Sequence, residues 1–178
     1  MGQIELKFGA VCSVFLFLVG CYSVSLPVGH YIPSEGLVVE GNVRTGTYYS
    51  VLGDLPVQNP VRFDIGFGDL IPWQNNSPSQ GVEFLVLNNE LIRANHDGVV
   101  KFIRSDRIWR RTHIDIDNGV IDGKRYMSAF EYVGDIGLIP GDEITKGQVI
   151  GQGYVGRGSV YFEIRIDGKP VDPIKQAK

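Results

Sequence analysis

Turn-forming residue pairs cut the sequence into short runs, and this punctuation restricts the fold more than any other feature. Asp97-Gly98, Asn118-Gly119, Gly141-Asp142, Lys146-Gly147 and Asp167-Gly168 recur through the second half of the chain. The stretches between them have strand character. Gly98 to Ile103 is a strand pattern that follows the turn at Asp97-Gly98. His113-Ile114-Asp115-Ile116-Asp117 alternates with period two, the mark of a strand with one buried face. Asn118-Gly119 is a good hairpin dipeptide, so a return strand is expected over Val120 to Met127, with a second turn inside it. Val82 to Leu87 and Val160 to Ile166 read as further strands. No long stretch has helical periodicity, and the single helical candidate is a short turn near Phe130 to Val133. The 23 Gly and 9 Pro fit many short strands joined by tight turns. The expected class is all-β, a sandwich or barrel with little helix.

A chain of 178 residues suggests one domain plus extensions, since domains run to about 100–200 residues. Its net charge of −3 argues against a general nucleic-acid binder. Four arginines, Arg104, Arg107, Arg110 and Arg111, surround Trp109. Such a patch can grip an anionic glycan, lipid headgroups or an acidic partner, or it can be the exposed tip of a hairpin.

The N-terminus has a different texture. Phe8 to Gly20 is uncharged over thirteen residues. That is too short for a comfortable membrane span of about 20 residues but has the length of a signal-peptide core. Leu18-Val19-Gly20-Cys21 resembles a bacterial lipobox, with a small residue before the cysteine that receives the lipid. Cys12 is the only other cysteine and lies within the signal, so a processed chain has no internal disulfide. Residues 1–20 are expected to be a lipoprotein signal peptide, with lipid on Cys21 as the link to the membrane. Tyr22 follows the cysteine where an Asp would redirect sorting, so a Gram-negative host would send the protein to the outer membrane, facing the periplasm. Residues 21–54 read as a tether and N-terminal β extension, either a small hairpin or an edge strand. Residues 55–175 form the main domain.

Three stretches of that domain resemble the LytM-type (lysostaphin-like) zinc peptidases, in the family's order. Gly66-Phe67-Gly68, after Pro60-Val61-Arg62-Phe63, resembles the opening segment. Asn95-His96-Asp97-Gly98-Val99-Val100 resembles the turn and strand that follow. Most specific is the C-terminal part. Pro140-Gly141-Asp142-Glu143-Ile144-Thr145-Lys146-Gly147-Gln148-Val149-Ile150-Gly151 is similar to the family's V-G-D-x-V-x-K-G-Q-x-I-G. Phe162-Glu163-Ile164-Arg165 and Gly168-Lys169-Pro170-Val171-Asp172-Pro173 are similar to F-E-I-R and G-K-P-V-D-P. The resemblance implies a compact fold with a groove floored by antiparallel strands.

It also implies where zinc chemistry should sit. The family holds its metal with a His and an Asp four residues apart and with the second His of a His-x-His strand, leaving an open position for water. Aligned on this sequence, the first ligand is Ser79, the second Glu83 and the third Tyr161. The catalytic His before the third ligand is Ser159. The segment with the last catalytic His falls on Tyr126-Met127-Ser128-Ala129-Phe130 and supplies none. One carboxylate cannot hold zinc, so no cofactor is expected. The three histidines, His30, His96 and His113, read as solvated or hydrogen-bonded side chains rather than as a rebuilt site. Asp69 to Asn76 is expected to be a loop over the groove, with Trp73 at the rim.

The resemblance therefore implies a pseudo-peptidase of the cell envelope. It would act in peptidoglycan remodelling by binding or activating a cell-wall hydrolase such as an amidase through the empty groove, whose candidate contacts are Trp73, Ser79, Glu83, Ser159 and Tyr161. Two alternatives stand beside it: a passive peptidoglycan-binding scaffold, and an active zinc endopeptidase with unusual ligands. A biotinyl or lipoyl carrier ranks last, because no Lys sits in the hairpin context such carriers use.

Overall fold

The computed structural model describes residues 43–58, 60–106, 111–134, 137–153 and 158–177. Residues 1–42, with the expected signal segment, Cys21 and His30, and residues 107–110 of the arginine patch lie outside the described residues. In chain order the strands are β1 (Arg44–Gly46), β2 (Tyr48–Ser50), β3 (Val61–Ile65), β4 (Leu70–Ile71), β5 (Ser77–Pro78), β6 (Val82–Leu85), β7 (Leu91–Arg93) and β8 (Gly98–Asp106). They continue with β9 (Arg111–Ile121), β10 (Lys124–Glu131), β11 (Val133–Gly134), β12 (Glu143–Ile144), β13 (Val149–Gly153), β14 (Ser159–Ile166), β15 (Lys169–Val171) and β16 (Ile174–Gln176). The only helical element among the described residues is a 3₁₀ turn at Pro72–Gln74.

A nine-stranded sheet runs in the order β1-β3-β6-β14-β10-β9-β8-β12, with β15 also pairing β14. A three-stranded sheet, β11-β13-β7, shares its core, since Ile92, Val133 and Ile150 pack in one cluster with Val82, Phe84, Phe162 and Ile164. Within that cluster aromatic rings pass from strand to strand. Tyr48 meets Phe63 edge-on at 5.3 Å, Phe63 meets Phe84 at 6.4 Å, Phe84 stacks on Phe162 at 6.3 Å, and Phe162 tilts against Phe130 at 5.3 Å. Phe84, Phe162 and Phe130 are fully buried. Aromatic pairs at these separations add about 0.5–1.5 kcal/mol each beyond burial.

Two local expectations are overturned. Asn118-Gly119 is not a hairpin turn, because β9 runs straight through it to Ile121. The pairing with β10 slips there, Asp117 facing Met127 and Gly119 facing Tyr126, so Asn118 is the extra residue of a bulge. Tertiary bonds hold it. The Asn118 amide donates to the Asp97 carbonyl at 2.9 Å, and the Ser128 hydroxyl donates to the Asn118 side-chain oxygen at 2.7 Å. The turn falls at Asp122-Gly123, whose φ angles of 50° and 77° suit a two-residue loop that matches strand twist. The expected helical turn at Phe130 to Val133 is instead a kink between β10 and β11. Tyr132 adopts φ of 64°, and its N–H bonds to the Thr112 carbonyl at 2.9 Å.

Of the two forms expected for the leader, a hairpin or an edge strand, the described residues take the edge strand. β1 adds to the edge of the large sheet through β3, and β2 pairs β16 near the C-terminus.

Phe162 is fully buried and packs on Phe84 of β6 and Phe130 of β10, so Phe162→Ala is expected to cost about 3–5 kcal/mol. Val120 is 70% exposed, and Val120→Thr should stay within about 0.5 kcal/mol of the parent chain. Urea unfolding followed by tryptophan fluorescence measures both, and a Phe162 variant as stable as the Val120 one would remove the aromatic core from its central role.

Candidate functional site

Successive strand residues face opposite ways, so the strands that bury these rings carry a second set of side chains on their other face. On β14, Val160, Phe162 and Ile164 enter the core, while Ser159, Tyr161, Glu163 and Arg165 look away from it. Glu83 on β6 stands opposite Tyr161. Glu131 on β10 faces both Tyr161 and His113 across its two neighbouring strands. The result is a cavity of about 320 Å³ whose floor carries Glu83, Tyr161, Glu163, Arg165, Glu131 and His113.

The rim is the segment from Asp69 to Ser79. β4 and β5 pair as a small ribbon closed by the 3₁₀ turn. Asp69 ties the ribbon's base to the sheet edge. Its carboxylate accepts from the Gly66 N–H at 2.7 Å and pairs with Arg44 of β1, whose guanidinium also lies 4.6 Å from the Phe63 ring. The Ser79 N–H bonds to the Asp69 carbonyl, and the Gly68 N–H to the Ser79 carbonyl, both at 2.8 Å. Trp73 sits on the ribbon's turn, half-exposed, and lines the cavity.

Ser79, Glu83 and Tyr161, which the alignment puts at the metal positions, therefore do meet in one cavity. Their hydrogen bonds are already committed. The Ser79 hydroxyl donates to the Gly81 carbonyl at 2.9 Å. Ser159, buried beside them, donates to Glu83 at 2.5 Å. The Tyr161 hydroxyl donates to Glu163 at 2.8 Å, and Arg165 closes the row on Glu163 at 2.5 Å. Burial, and then the negative Glu163, push the Tyr161 phenol well above its ordinary range, so it stays neutral and offers no phenolate. One carboxylate with two neutral hydroxyls does not fit zinc, which takes imidazole, thiolate and carboxylate donors. Among the described residues no group of three or more His, Cys, Asp or Glu is arranged to hold a metal ion.

Gly81 lets the Ser79–Glu83 segment lie against β14. A side chain there would come within 2.3 Å of the Phe162 carbonyl and 2.9 Å of the Tyr161 ring.

Of the middle segment, Tyr126 to Phe130, no residue lines the cavity. Ser128 and Phe130 point into the protein, Ser128 fully buried against Asn118. What this part of the chain brings to the cavity is Glu131 and Tyr132, at the kink. His113 is hydrogen-bonded, as expected, and the structure adds where it stands. Its ring lies in the cavity wall between two carboxylates, Nε2 to Asp115 at 3.0 Å and Nδ1 to Glu131 at 3.2 Å. The missed signal is the His-x-Asp step, since residues two apart on a strand share a face; Glu131 comes from the next strand and has no such signal. His96 stays in its turn, Nδ1 to the Asp97 carbonyl at 3.0 Å.

Asp115, then Glu131, raise the His113 pKa to about 9 against the opposing effect of burial. Both ring nitrogens are then donors at neutral pH, and neither has a lone pair for a metal. The site is thus a row of engaged charges and hydroxyls under an aromatic rim.

A sequence-family model for peptidase family M23 matches residues 77–173, more than half of the chain. The chain belongs to peptidase family M23, the LytM-type peptidases. No curated protein matches it. Solved structures with the same fold include a zinc-containing peptidase from Vibrio cholerae, 22% identical with a TM-score of 0.56, over 68% of this chain and 38% of that one. Csd3 from Helicobacter pylori is 21% identical with a TM-score of 0.54, over 86% of this chain and 42% of that one. Lysostaphin in solution is 16% identical with a TM-score of 0.52, over 66% and 49%. This chain therefore spans less than half the length of each of these three.

The His113 value lies above the unfolded one of about 6.5. The stability its carboxylate partners give is complete below pH 6.5 and is lost as pH rises through about 9. An NMR titration of the His113 ring should give a midpoint near 9, lowered by Glu131→Gln; a midpoint near 6.5 in the parent chain would refute the paired geometry. Gly81→Ala should fold yet shift the Ser79, Glu83 and Tyr161 amide resonances together, and an unshifted Tyr161 would show that the close approach is absent.

Proposed function

We propose that this chain is a non-catalytic M23 domain of the bacterial cell envelope. Its groove binds a segment of a cell-wall hydrolase, such as an amidase, and so controls peptidoglycan cleavage. Lipid on Cys21 would anchor it to a membrane, the outer membrane in a Gram-negative host, with residues 21–54 leading into the domain. One observation carries the reading. A cavity of about 320 Å³ stays open, and Ser79, Glu83 and Tyr161, which the resemblance aligns with the family's metal ligands, line it in hydrogen bonds to neighbouring groups. An abandoned site would be free to collapse or fill with apolar side chains. Here a shaped, polar groove persists with an exposed Trp73 at its edge, the combination of apolar body and polar tip that suits a protein interface.

The test pairs metal content with turnover, using the purified chain. Expected are no stoichiometric zinc, no release of dye from labelled sacculi by the chain alone, and faster release when an amidase is added with it. Stoichiometric zinc with chelator-sensitive cleavage would refute the proposal in favour of a peptidase with unusual ligands. Binding to sacculi with no change in amidase turnover would refute it in favour of a passive scaffold. A second measurement addresses the lost donors directly. The triple variant Ser79→His, Glu83→Asp, Tyr161→His is expected to take up one zinc per chain, read by elemental analysis. A folded triple variant without zinc would mean that the groove's frame, and not only its donors, has departed from the metal geometry.

A further inference from the structure

β8 is nine residues long, yet its two sides are unequally covered. On the inner side it pairs β9 along its length, out to Asp106 opposite Arg111. On the outer side β12 reaches only Val99 and Gly98, with two more backbone bonds joining Val100 to Gly141 and Asp142. Past Val100 no described strand covers the outer edge. The break has a local cause. The β8–β9 register slips between Val100 and Phe102, leaving Lys101 as the extra residue of a bulge, and a bulge bends its strand away from the previous line of pairing. The segment from Phe102 to Ser105 is thus held extended by β9, and among the described residues no backbone group pairs with its outer edge, which is a template for another strand.

The side chains along this edge narrow the choice of strand. Phe102 and Arg104 are two residues apart and share a face, and they stand opposite Asp115 and His113, on the face that carries the cavity. Phe102 is 46% exposed and turns its ring edge toward His113 at 6.1 Å. Arg104 is exposed and makes no ion pair with any described residue. Lys101, by contrast, is drawn back to Asp117 at 3.6 Å.

We propose that this edge, from Phe102 to Ser105, binds an extended acidic segment of a partner protein as an added strand. Backbone hydrogen bonds supply the pairing, and alternate side chains supply the choice. The partner strand carries an acidic residue for Arg104 and, two residues away on the same face, an apolar residue for Phe102. A second copy of this chain fits poorly, since edge-to-edge pairing would set arginine near arginine and like charges across strands are destabilising. Anionic glycan or lipid would use Arg104 but not the backbone. The proposal does not depend on the groove having a hydrolase partner.

The probe is the peptide Ac-Thr-Val-Thr-Asp-Thr-Val-NH2, added at millimolar concentration to the full isotope-labelled chain. Amide hydrogen exchange is followed by NMR. Expected is slower exchange within residues 102–105, abolished when the peptide backbone is N-methylated. Replacing Asp by Lys in the peptide should weaken binding roughly two- to five-fold, the scale of an exposed ion pair, and the Arg104→Glu chain should prefer the Lys peptide. No protection at this edge, or a preference unmoved by Arg104→Glu, would overturn the proposal. So would protection that appears without peptide as chain concentration rises, which would make the occupant a second copy. Resonance shifts with anionic vesicles but none with the peptide would likewise overturn it, in favour of a lipid surface.

Discussion

The row of rings from Tyr48 through Phe63, Phe84 and Phe162 to Phe130 is the contact on which the rest of the site depends. It crosses β2, β3, β6, β14 and β10 beneath the cavity. Each ring fixes the pleat of its strand, and a pleat fixed on one face is fixed on the other. Glu83 beside Phe84, Tyr161 and Glu163 on either side of Phe162, and Glu131 after Phe130 are therefore aimed at one point as a consequence of core packing. A one-residue slip of any of these strands would bury a carboxylate and expose a phenylalanine, and both changes are costly. The shape of the groove is thus set by the core packing beneath it.

What lines the groove now is a closed set of hydrogen bonds and ion pairs. Ser159 serves Glu83, Tyr161 and Arg165 serve Glu163, and Asp115 and Glu131 share His113. Buried carboxylates are tolerable only when paired in this way. Ser79 and Tyr161, beside Glu83, are neutral hydroxyls already engaged in hydrogen bonds and make poor donors to zinc. The arrangement stabilises the groove's own polar floor, while Trp73 at the rim stays half-exposed.

Much of the fold was legible because β structure writes its period directly into sequence. The His113–Asp117 alternation, the Val160–Ile166 run and the Asp167-Gly168 turn all correspond to observed elements. The failures share a cause. Asn118-Gly119 has the chemistry of a hairpin turn, yet Asp97 and Ser128 bind the Asn118 side chain and convert the pair into a bulge. Phe130 to Val133 was misread because the kink at Tyr132 is held by Thr112 of another strand. Neither partner is near in sequence, so no local rule could include it.

The same division holds for the site. Sequence alone determined which chemical groups are available to the cavity, among them Ser79, Glu83, Ser159 and Tyr161. It also determined that residues two apart on β14 share a face. Only the tertiary structure decided that His113 would lie between Asp115 and Glu131 and carry a positive charge at neutral pH, and that β8 would run past β12, its outer neighbour among the described strands. Identity and period are properties of the chain itself. Protonation and edge exposure depend on which distant strands arrive alongside, and strand register sets that by burying the rings on the opposite face.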